Sequence, residues 1–328
     1  MPMLKIAQIG LRSLAVAGLV LFSSLSSAQI WPGGQPLRVI VPFPGGASTL
    51  DSVVRTLAPE MSRALGVPVI VDNRPGAGTV IGVDATAKAA DGRTVGAVAN
   101  SFTVNQTLVR SLPYDTVRDL QPVVLMARTA NVLAVRASLP VSTLAELIDF
   151  AKKNPAKLSY GSFGNGTTAH FAGEMLKSQA GVFIVHIPYR GQGPALTDLL
   201  GGNIDMMFGN LPDFLPHVRS GKLKALGTTY LVRAPLAPEI PTVAEQGFPG
   251  FETDSWYGIV APASMPREIV ERINAAINRA LDDAGINRNL AERGIEKIGG
   301  SRERLGEHIR AEIAKYAKIV RDSGMQID

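Results

Sequence analysis

The feature that most constrains the fold of this chain is an alternation of short apolar runs with helix-periodic segments. The run Leu37 to Val41 is typical of a buried strand, and the apolar residues between Val54 and Leu65 then recur at helical spacing. Val67 to Val71 predicts a second strand, Thr79 to Ala90 a helix and Thr94 to Ala99 a third strand. Strands that alternate with helices imply right-handed crossovers and a parallel sheet.

The same alternation continues through the rest of the chain. Further strands are predicted at Val132 to Val135, Leu158 to Tyr160, Phe183 to Val185, Ile204 to Phe208 and Leu223 to Gly227. Further helices are predicted at Thr143 to Lys153, from Thr167 or Thr168 onward, at Pro194 to Leu200, at Pro266 to Leu281 and at Arg302 to Arg321. The length suits two lobes of ordinary domain size. Because no flexible Gly/Ser linker is present, ordered strands should join them, and Val132 to Arg136 and Lys224 to Thr228 are the candidate crossings.

The first 28 residues have the pattern of a cleavable export signal. Lys5 and Arg12 precede the apolar run Leu14 to Phe22, and Ser26-Ser27-Ala28 supplies small residues before Gln29. The apolar run is too short for a membrane span, which needs about 20 residues. We therefore expect residues 1–28 to be a signal peptide and the mature protein to be periplasmic.

Charge and cysteine content exclude several classes of function. Removal of Lys5 and Arg12 with the signal lowers the formal net charge from +5 to +3, which does not suggest a nucleic-acid-binding surface. The chain has no cysteine, and so no disulfide, thiol nucleophile or cysteine metal site. The four histidines lack metal-ligand spacing. We expect no cofactor, no metal and no nucleic-acid partner.

The stretch "YGSFGNGTTAHFAGEMLKS", residues 160–178, joins a strand end to a helix through a glycine-rich loop without a cation. The hydroxyl of Thr167 or Thr168 can cap the helix, while the other free N–H groups point back into the loop. Such a helix start favours an anion without Lys or Arg. The candidate ligand-binding residues here are Gly164, Asn165, Gly166, Thr167, Thr168 and His170, the last with core packing as its alternative.

The segment "VPFPGGASTLDSVVR", Val41 to Arg55, repeats this design after the first strand. Its candidate residues are Phe43, Gly46, Ala47, Ser48, Thr49 and Asp51. For Ser48, Thr49 and Asp51, ordinary helix capping is the alternative to ligand contact. Two such loops at the carboxyl ends of parallel strands would face each other across a cleft.

Other strand ends supply further candidates for the same cleft. Ser101 and Asn105 follow the third strand, and Tyr189 follows the strand near Val185. Asp205 and Asn210 lie at the next strand and its turn. Tyr189 forms either a cleft wall or part of the core. Arg190 is the only cation beside these loops, and we expect it to be solvated.

Catalytic and nucleotide-binding motifs are missing. Gly76, Gly78 and Gly82 match the dinucleotide fingerprint only partly, and they follow a second strand rather than the first. Neither a phosphate-binding G-x-x-x-x-G-K-[ST] loop nor a G-x-S-x-G nucleophile elbow occurs. We therefore expect no enzymatic activity.

Taken together, these segments resemble the tripartite tricarboxylate transporter receptors, also called Bug receptors. The stretches that carry the resemblance are "LRVIVPFPGGAS", "VDNRPGAG", "LPYD", "SYGSFGNGTTAH", "PYRGQGPALTDLLGGNIDMMFGNLP", "GKLKALGTT", "PEIPTVAEQGFPGFE" and "SWYGIVAPASMP". They cover nearly the whole mature chain in order. Each piece alone is weak, but the ordered set is specific.

The resemblance implies an α/β, two-lobed periplasmic-binding-protein fold of type II. Each lobe is then a mostly parallel sheet flanked by helices, with two hinge strands between them. Residues 29–131 and 229–328 would form the first lobe and residues 132–228 the second. The loops Phe43 to Thr49 and Gly164 to Thr168 would grip one carboxylate as the lobes close, often with ordered water.

The implied partners are a small organic carboxylate and the membrane permease of a tripartite tricarboxylate transporter, and monomer is the default state. Two other functions stay open on the sequence. The chain could be an exported enzyme that acts on a small carboxylate, because fold does not fix function. It could also be a sensory receptor that passes a bound ligand's signal to a kinase.

Overall fold

The computed structural model describes residues 34–46 and 48–323. The predicted signal peptide, residues 1–28, and the candidate Ala47 lie outside the described residues. Within the part of the chain that is described, no helix is both long enough and apolar enough to cross a membrane.

The described chain forms ten strands and ten α-helices, in alternation. The strands are β1 (Leu37–Val41), β2 (Val69–Asn73), β3 (Thr94–Val98), β4 (Leu120–Arg136), β5 (Ser159–Ser162), β6 (Val185–Pro188), β7 (Met206–Asn210), β8 (Leu223–Thr228), β9 (Asp254–Pro262) and β10 (Glu296–Lys297). The helices are α1 (Thr49–Leu65), α2 (Val80–Ala87), α3 (Ser101–Leu108), α4 (Leu144–Lys153), α5 (Thr168–Ala180), α6 (Gln192–Gly201), α7 (Leu211–Arg219), α8 (Arg267–Asp282), α9 (Ala284–Glu292) and α10 (Arg302–Ser323).

Two groups of strands share the long strand β4. In the first sheet β1 pairs in parallel with β2 and β3, while β9 runs antiparallel between β3 and β4. In the second sheet β5 pairs in parallel with β6 and β7, while β4 runs antiparallel to β7 and β8. Each sheet therefore has a parallel core with antiparallel strands added, more mixed than the alternation alone predicts.

Strand β4 is the first connection between the sheets. Its residues Leu120 to Ala130 pair with β9, and its residues Asn131 to Val135 pair with β7. The predicted strand Val132 to Val135 is thus the second half of a 17-residue strand. The change of sheet falls at Ala130–Asn131, close to the predicted crossing.

The return connection lies later in the chain than predicted. Lys224 to Thr228 belong to β8, inside the second sheet, and do not cross. Tyr230 and Ile240 then pack in an apolar cluster with Met207 of β7, and Phe251 packs with Phe208. This packing favours a boundary near residue 253, just before β9 begins in the first sheet, over one at residue 228. The apolar side chains of residues 230–251 hold this segment against the second sheet.

Helix α1 begins and ends as its sequence indicates, whereas the predicted cap of α5 is missing: Thr167 stands at its N-cap, but the Thr167 hydroxyl makes no capping hydrogen bond. Ser48 caps α1 by accepting the Asp51 N–H, and Gly66 ends that helix in the left-handed region at φ 72°. Thr143 caps α4 in the same way by accepting the Glu146 N–H. Helices α3, α7 and α9 and strands β9 and β10 have no counterpart among the predicted elements.

Candidate functional site

Five helices begin at the carboxyl ends of strands around one cavity. The strands are β1, β3, β5, β6 and β7, and the helices that follow them are α1, α3, α5, α6 and α7. The residues at these starts that line the cavity are Ser48, Thr49, Leu50, Asn100, Ser101, Thr167, Thr168, Gln192 and Asn210. Ser255 and Tyr257 of β9 and the rings of Phe43 and Phe163 complete the wall. We call this narrow space the inner cavity; its empty volume of about 430 Å³ includes space open to solvent, and about 30 Å³ of it admits the centre of a water-sized sphere.

The loop before α1 is held in place by Asp51. One carboxylate oxygen of Asp51 accepts the Gly46 N–H at 2.8 Å and the Arg55 guanidinium at 2.8 Å. The other accepts the Asn73 amide at 2.7 Å. Burial alone would raise the pKa of Asp51, but the hydrogen bonds from Arg55, Asn73 and Gly46 outweigh it, and the pKa lies below its usual value. Asp51 therefore shapes the loop and does not line the inner cavity.

The loop before α5 depends on two glycines and a histidine. Gly164 and Gly166 have φ of 130° and 75°, conformations that other residues rarely adopt. The Thr167 hydroxyl donates to the Gly164 carbonyl at 2.7 Å, and the Gly166 N–H donates to His170 Nδ1 at 3.2 Å. These bonds fix Thr167 and Thr168 at the cavity.

His170 belongs to a buried stack beneath this loop. Its ring lies 4.2 Å from the ring of His186, which in turn stacks on Tyr160 at 4.7 Å. Ser162 Oγ lies 2.7 Å from His186 Nε2. Burial lowers the pKa of His170 to about 4 and that of His186 to about 3, so both rings are neutral at pH 7. A neutral His170 can accept the Gly166 N–H.

Polar side chains on both sheets meet beside the cavity. Thr49 Oγ1 donates to Asp213 Oδ2 at 2.9 Å and accepts from Asn210 Nδ2 at 2.8 Å. The Gln192 amide donates to the same oxygen of Asp213. Thr49 follows β1, whereas Asp213 and Asn210 lie at the start of α7. These bonds therefore join the two sheets.

A second set of bonds connects β9 to the opposite helix starts. Thr168 Oγ1 and Ser255 Oγ lie 2.9 Å apart, and Ser255 Oγ donates to Asn210 Oδ1 at 2.8 Å. Asn131 Nδ2 donates to that same oxygen at 2.8 Å. Phe171, on the buried side of α5, packs its ring 4.6 Å from Tyr316 of α10. These contacts hold the two sheets together beside the inner cavity.

Tyr257 contributes a donor that lacks a partner. Its side chain lines the cavity, and its buried hydroxyl lies beside the Thr49 and Ser255 hydroxyls but makes no hydrogen bond of good geometry with a described residue. Burial raises the pKa of Tyr257 well above its usual value, so the hydroxyl keeps its proton. A buried hydroxyl without a partner costs about 1–3 kcal/mol. An acceptor placed in the cavity would remove that cost.

Within the described residues, no Lys or Arg lines the inner cavity. Arg55 and Arg293 instead line a neighbouring groove together with Asp51 and Asp213. Arg190 is exposed and lines the opening on the other side. The groups that can meet an anion inside are therefore neutral donors: hydroxyls, amides and the N–H groups of helix starts, which have no intrahelical partner.

The structure brings together many of the candidates predicted from the sequence. Those that line the inner cavity are Phe43, Ser48, Thr49, Ser101, Thr167, Thr168 and Asn210. Gly46, Asp51, Gly166 and His170 support its two loops. Gly164 and Tyr189 line the adjacent opening. The Asn165 carbonyl faces Gly78 of the loop opposite.

Asn105 and Asp205 stand apart from the cavity. Asn105 is buried in α3, where its amide donates to the Gly78 carbonyl at 2.9 Å. Asp205 precedes β7, at the end opposite Asn210, and pairs with Arg136 at 2.9 Å and with the Ser159 N–H at 2.9 Å. We therefore correct the prediction for Asp205, because a five-residue strand separates it from the cavity by about 15 Å.

Several residues of the site were missed on the sequence: Phe163, Gln192, Asp213, Ser255 and Tyr257. Gln192 had a usable signal, because it follows a strand and a glycine turn as the predicted candidates do. Ser255 and Tyr257 lie in a buried strand without a loop signal. Among the described residues, no group of three or more histidine and acidic side chains could hold a metal ion.

Comparisons with known proteins agree with this architecture. A family model described as tripartite tricarboxylate transporter family receptor matches residues 53–325. BugT of Bordetella pertussis is 36% identical over 323 residues, 96% of this chain and 98% of that protein. A solved structure of R. palustris Rpa4515 with adipate is 36% identical, with a TM-score of 0.85, and the match covers 90% of this chain and 99% of that one.

A second solved structure, MatC from Rhodopseudomonas palustris with bound malate, is 29% identical with a TM-score of 0.83. That match covers 88% of this chain and 100% of MatC. The predicted two-lobed α/β fold of periplasmic binding proteins is confirmed by these likenesses. The family model spans most of the chain, and BugT matches nearly all of it. The chain therefore belongs to the tripartite tricarboxylate transporter receptor family.

Proposed function

We propose that this protein is a periplasmic receptor that closes on a small organic carboxylate and delivers it to the membrane permease of a tripartite tricarboxylate transporter. The observation that carries the proposal is the inner cavity. Its wall combines five helix starts with the unpartnered hydroxyl of Tyr257 and contains no cationic side chain among the described residues. Such a wall suits one carboxylate group.

The energetics require more than helix electrostatics. A helix start contributes about 0.3–2 kcal/mol toward an anion, whereas micromolar affinity needs about 8 kcal/mol. The remainder comes from hydrogen bonds to hydroxyl and amide donors in a space that excludes water. Thr167 and Thr168 are 5% and 2% exposed, so the hydroxyls at the start of α5 are already largely shielded from water.

Closure also supplies the signal to the permease. The bonds from Thr49 to Asp213 and from Thr168 to Ser255 form only when the two sheets approach. A solute that fits between the helix starts adds its own bonds to both sides and so favours the closed form. A membrane partner that recognises the closed shape then distinguishes the loaded receptor from the empty one.

The relatives support the class of ligand. The solved structures of Rpa4515 and MatC carry adipate and malate. Both molecules are small carboxylates, which agrees with a site built for one carboxylate group. A receptor of this kind binds and releases its solute unchanged, and we propose no catalytic role. We also propose that the receptor acts in the periplasm as a monomer.

The proposal is tested by isothermal titration calorimetry with the carboxylates that stabilise the protein in a thermal-shift screen. Thr168→Val should weaken binding about tenfold or more, because a buried ligand oxygen loses a partner. Thr197→Val is the matched control, since Thr197 is exposed on α6 and bonds only the Gly193 carbonyl. A screen in which no carboxylate binds would overturn the proposal, and turnover of a bound carboxylate, seen by mass spectrometry, would favour an enzyme.

A further inference from the structure

A second space adjoins the inner cavity and leads outward from it. Phe43, Phe163 and Thr167 line both spaces, so the two meet at these side chains. The second space measures about 1200 Å³, including its solvent-filled mouth. We call it the outer chamber. A solute whose carboxylate lies in the inner cavity must place the rest of its body there.

The side chains that surround the outer chamber are mainly apolar. They come from the loop after β1, the turn before α2 and the loop after β5, and the principal ones are Pro42, Phe43, Pro44, Pro75, Ile81 and Phe163. Ile81 is 52% exposed. An apolar group seated in the chamber would cover it.

The hydroxyl groups that line the outer chamber already form hydrogen bonds within the protein. Tyr189 donates to Asp198 at 2.6 Å, and Thr167 donates to the Gly164 carbonyl at 2.7 Å. Thr79 Oγ1 is paired with Ser101 Oγ at 2.9 Å. A solute hydroxyl that enters the chamber therefore exchanges its water for a wall whose hydroxyls are occupied and whose charged side chain, that of Arg190, is exposed to solvent, which disfavours binding.

A negative charge beside the inner cavity disfavours a second class of polar solute, acids with several carboxylates. Asp213 accepts a hydrogen bond from Thr49, a residue of the inner wall, so a negative charge lies beside the cavity. Like charges at short range repel. That charge also opposes the first carboxylate, which the hydroxyl, amide and helix-start donors stabilise; a second carboxylate close to the first, as in a branched polyacid, would add further repulsion.

We propose that the solute is an organic acid with an apolar body, held with its carboxylate in the inner cavity and its hydrocarbon part in the outer chamber. This inference depends on the proposed function, because it assumes that the inner cavity takes the carboxylate. It assigns the class of solute, acids with an alkyl or aryl body, in preference to hydroxylated or branched polyacids.

Two pairs of six-carbon acids test the inference by calorimetry on the mature wild-type protein. Hexanoate and gluconate both carry one carboxylate, and adipate and glucarate both carry two at the ends. Within each pair only the hydroxyl groups of the body differ. We expect the apolar acid of at least one pair to bind, and to bind at least tenfold more tightly than its hydroxylated counterpart.

The other outcomes of these titrations distinguish a failure of the inference from a failure of the proposed function. If gluconate or glucarate binds as tightly as its apolar counterpart, or if only polyacids such as citrate bind, the inference is overturned and the proposed function stands. If no acid in these pairs or in the wider carboxylate screen binds, the proposed function fails.

A substitution in the wall of the outer chamber tests whether that wall contacts the solute. Ile81→Thr replaces an apolar chamber side chain by a polar one of similar shape and should weaken the tightest-binding apolar acid at least threefold. Ile70→Thr is the matched control, because Ile70 is 48% exposed on β2 and does not line the chamber. Equal affinities for wild-type protein and Ile81→Thr would contradict the assignment of the chamber.

Discussion

Thr168 at the start of α5 and Ser255 at the start of β9 place their hydroxyl oxygens 2.9 Å apart. Both side chains are almost fully buried, and both line the inner cavity. Since α5 follows a strand of the second sheet and β9 belongs to the first, this pair bridges the two halves at the site itself. Ligand contact and closure are therefore coupled through the same side chains.

This bridge predicts a coupling energy between Thr168 and Ser255. In a double-mutant cycle of Thr168→Val and Ser255→Ala, urea unfolding should give an interaction energy of about 0.5–3 kcal/mol. Thr168→Val combined with Thr197→Val should instead be additive within about 0.5 kcal/mol, because these sites share no partner. Additivity in both combinations would show that the bridge contributes nothing to the closed state.

Tyr257→Phe should affect stability and binding in different ways. Without solute, the variant loses only a hydroxyl that has no partner, so the free energy of unfolding should stay equal or rise by about 1 kcal/mol. With a carboxylate, the missing donor should lower the affinity about 5- to 30-fold. Tyr114→Phe is the control, because its hydroxyl is also buried without a hydrogen bond of good geometry but lies outside the inner cavity. A Tyr257→Phe affinity equal to that of wild type would remove Tyr257 from the site.

The stacked pair His170 and His186 predicts a loss of stability in acid. Burial lowers their pKa values to about 4 and about 3, below the value of about 6.5 that histidine has in an unfolded chain. The contribution of the two histidines to the free energy of unfolding is therefore fully present above pH 6.5. It is lost as the pH falls from 6.5 toward 3, since the unfolded chain then binds more protons.

His186→Gln provides the measurement for this pair. Urea unfolding at several pH values between 7.5 and 4.5 gives the free energy of unfolding as a function of pH. The slope of that function should be shallower for the variant than for wild type by up to about 1.4 kcal/mol per pH unit. The slopes are compared, and not the free energies themselves, because the substitution can also change the free energy of unfolding by the same amount at every pH. Parallel slopes for His186→Gln and wild type would contradict the assignment.

The close packing of Gly173 against Tyr160 predicts that a larger side chain at this position would destabilise the protein. A Cβ at Gly173 of α5 would overlap the ring of Tyr160. Gly173→Ala should therefore lower the free energy of unfolding by about 1–3 kcal/mol. Gly201→Ala, on α6, meets only Asn203 Nδ2 at 3.6 Å and should be neutral or stabilising by up to about 1 kcal/mol. Equal effects of the two substitutions in thermal unfolding would show that α5 can move away from Tyr160.

The parts of the site that could be predicted are those with local signals. A strand, a glycine turn, a hydroxyl residue and a helix period occur together around Ser48 and around Thr168, so both loops were recognisable. The rule that parallel strands present their carboxyl ends at one edge then placed the two loops face to face. Capping and periodicity depend on near neighbours in the chain, and for that reason the sequence displays them.

The parts that could not be predicted depend on contacts distant in sequence. Tyr257 reaches the cavity through the pairing of β9 with β3 and β4, and nothing within β9 indicates which side chain faces a ligand. Asp205 was assigned to the site from its closeness in sequence to Asn210, but the length of β7 separates them. Residues 230–251 lack strand or helix periodicity, and their apolar packing together with hydrogen bonds to β8 assigns them to the second sheet.

The central claim is that donors at helix starts hold a carboxylate without help from a cationic side chain. A crystal structure of the protein with its tightest-binding carboxylate tests it directly. The account predicts carboxylate oxygens within about 3 Å of N–H or hydroxyl donors at the starts of α1 and α5 and of the Tyr257 hydroxyl, directly or through one water. A carboxylate clamped by Arg190 or Arg55, or bound outside the inner cavity, would contradict it.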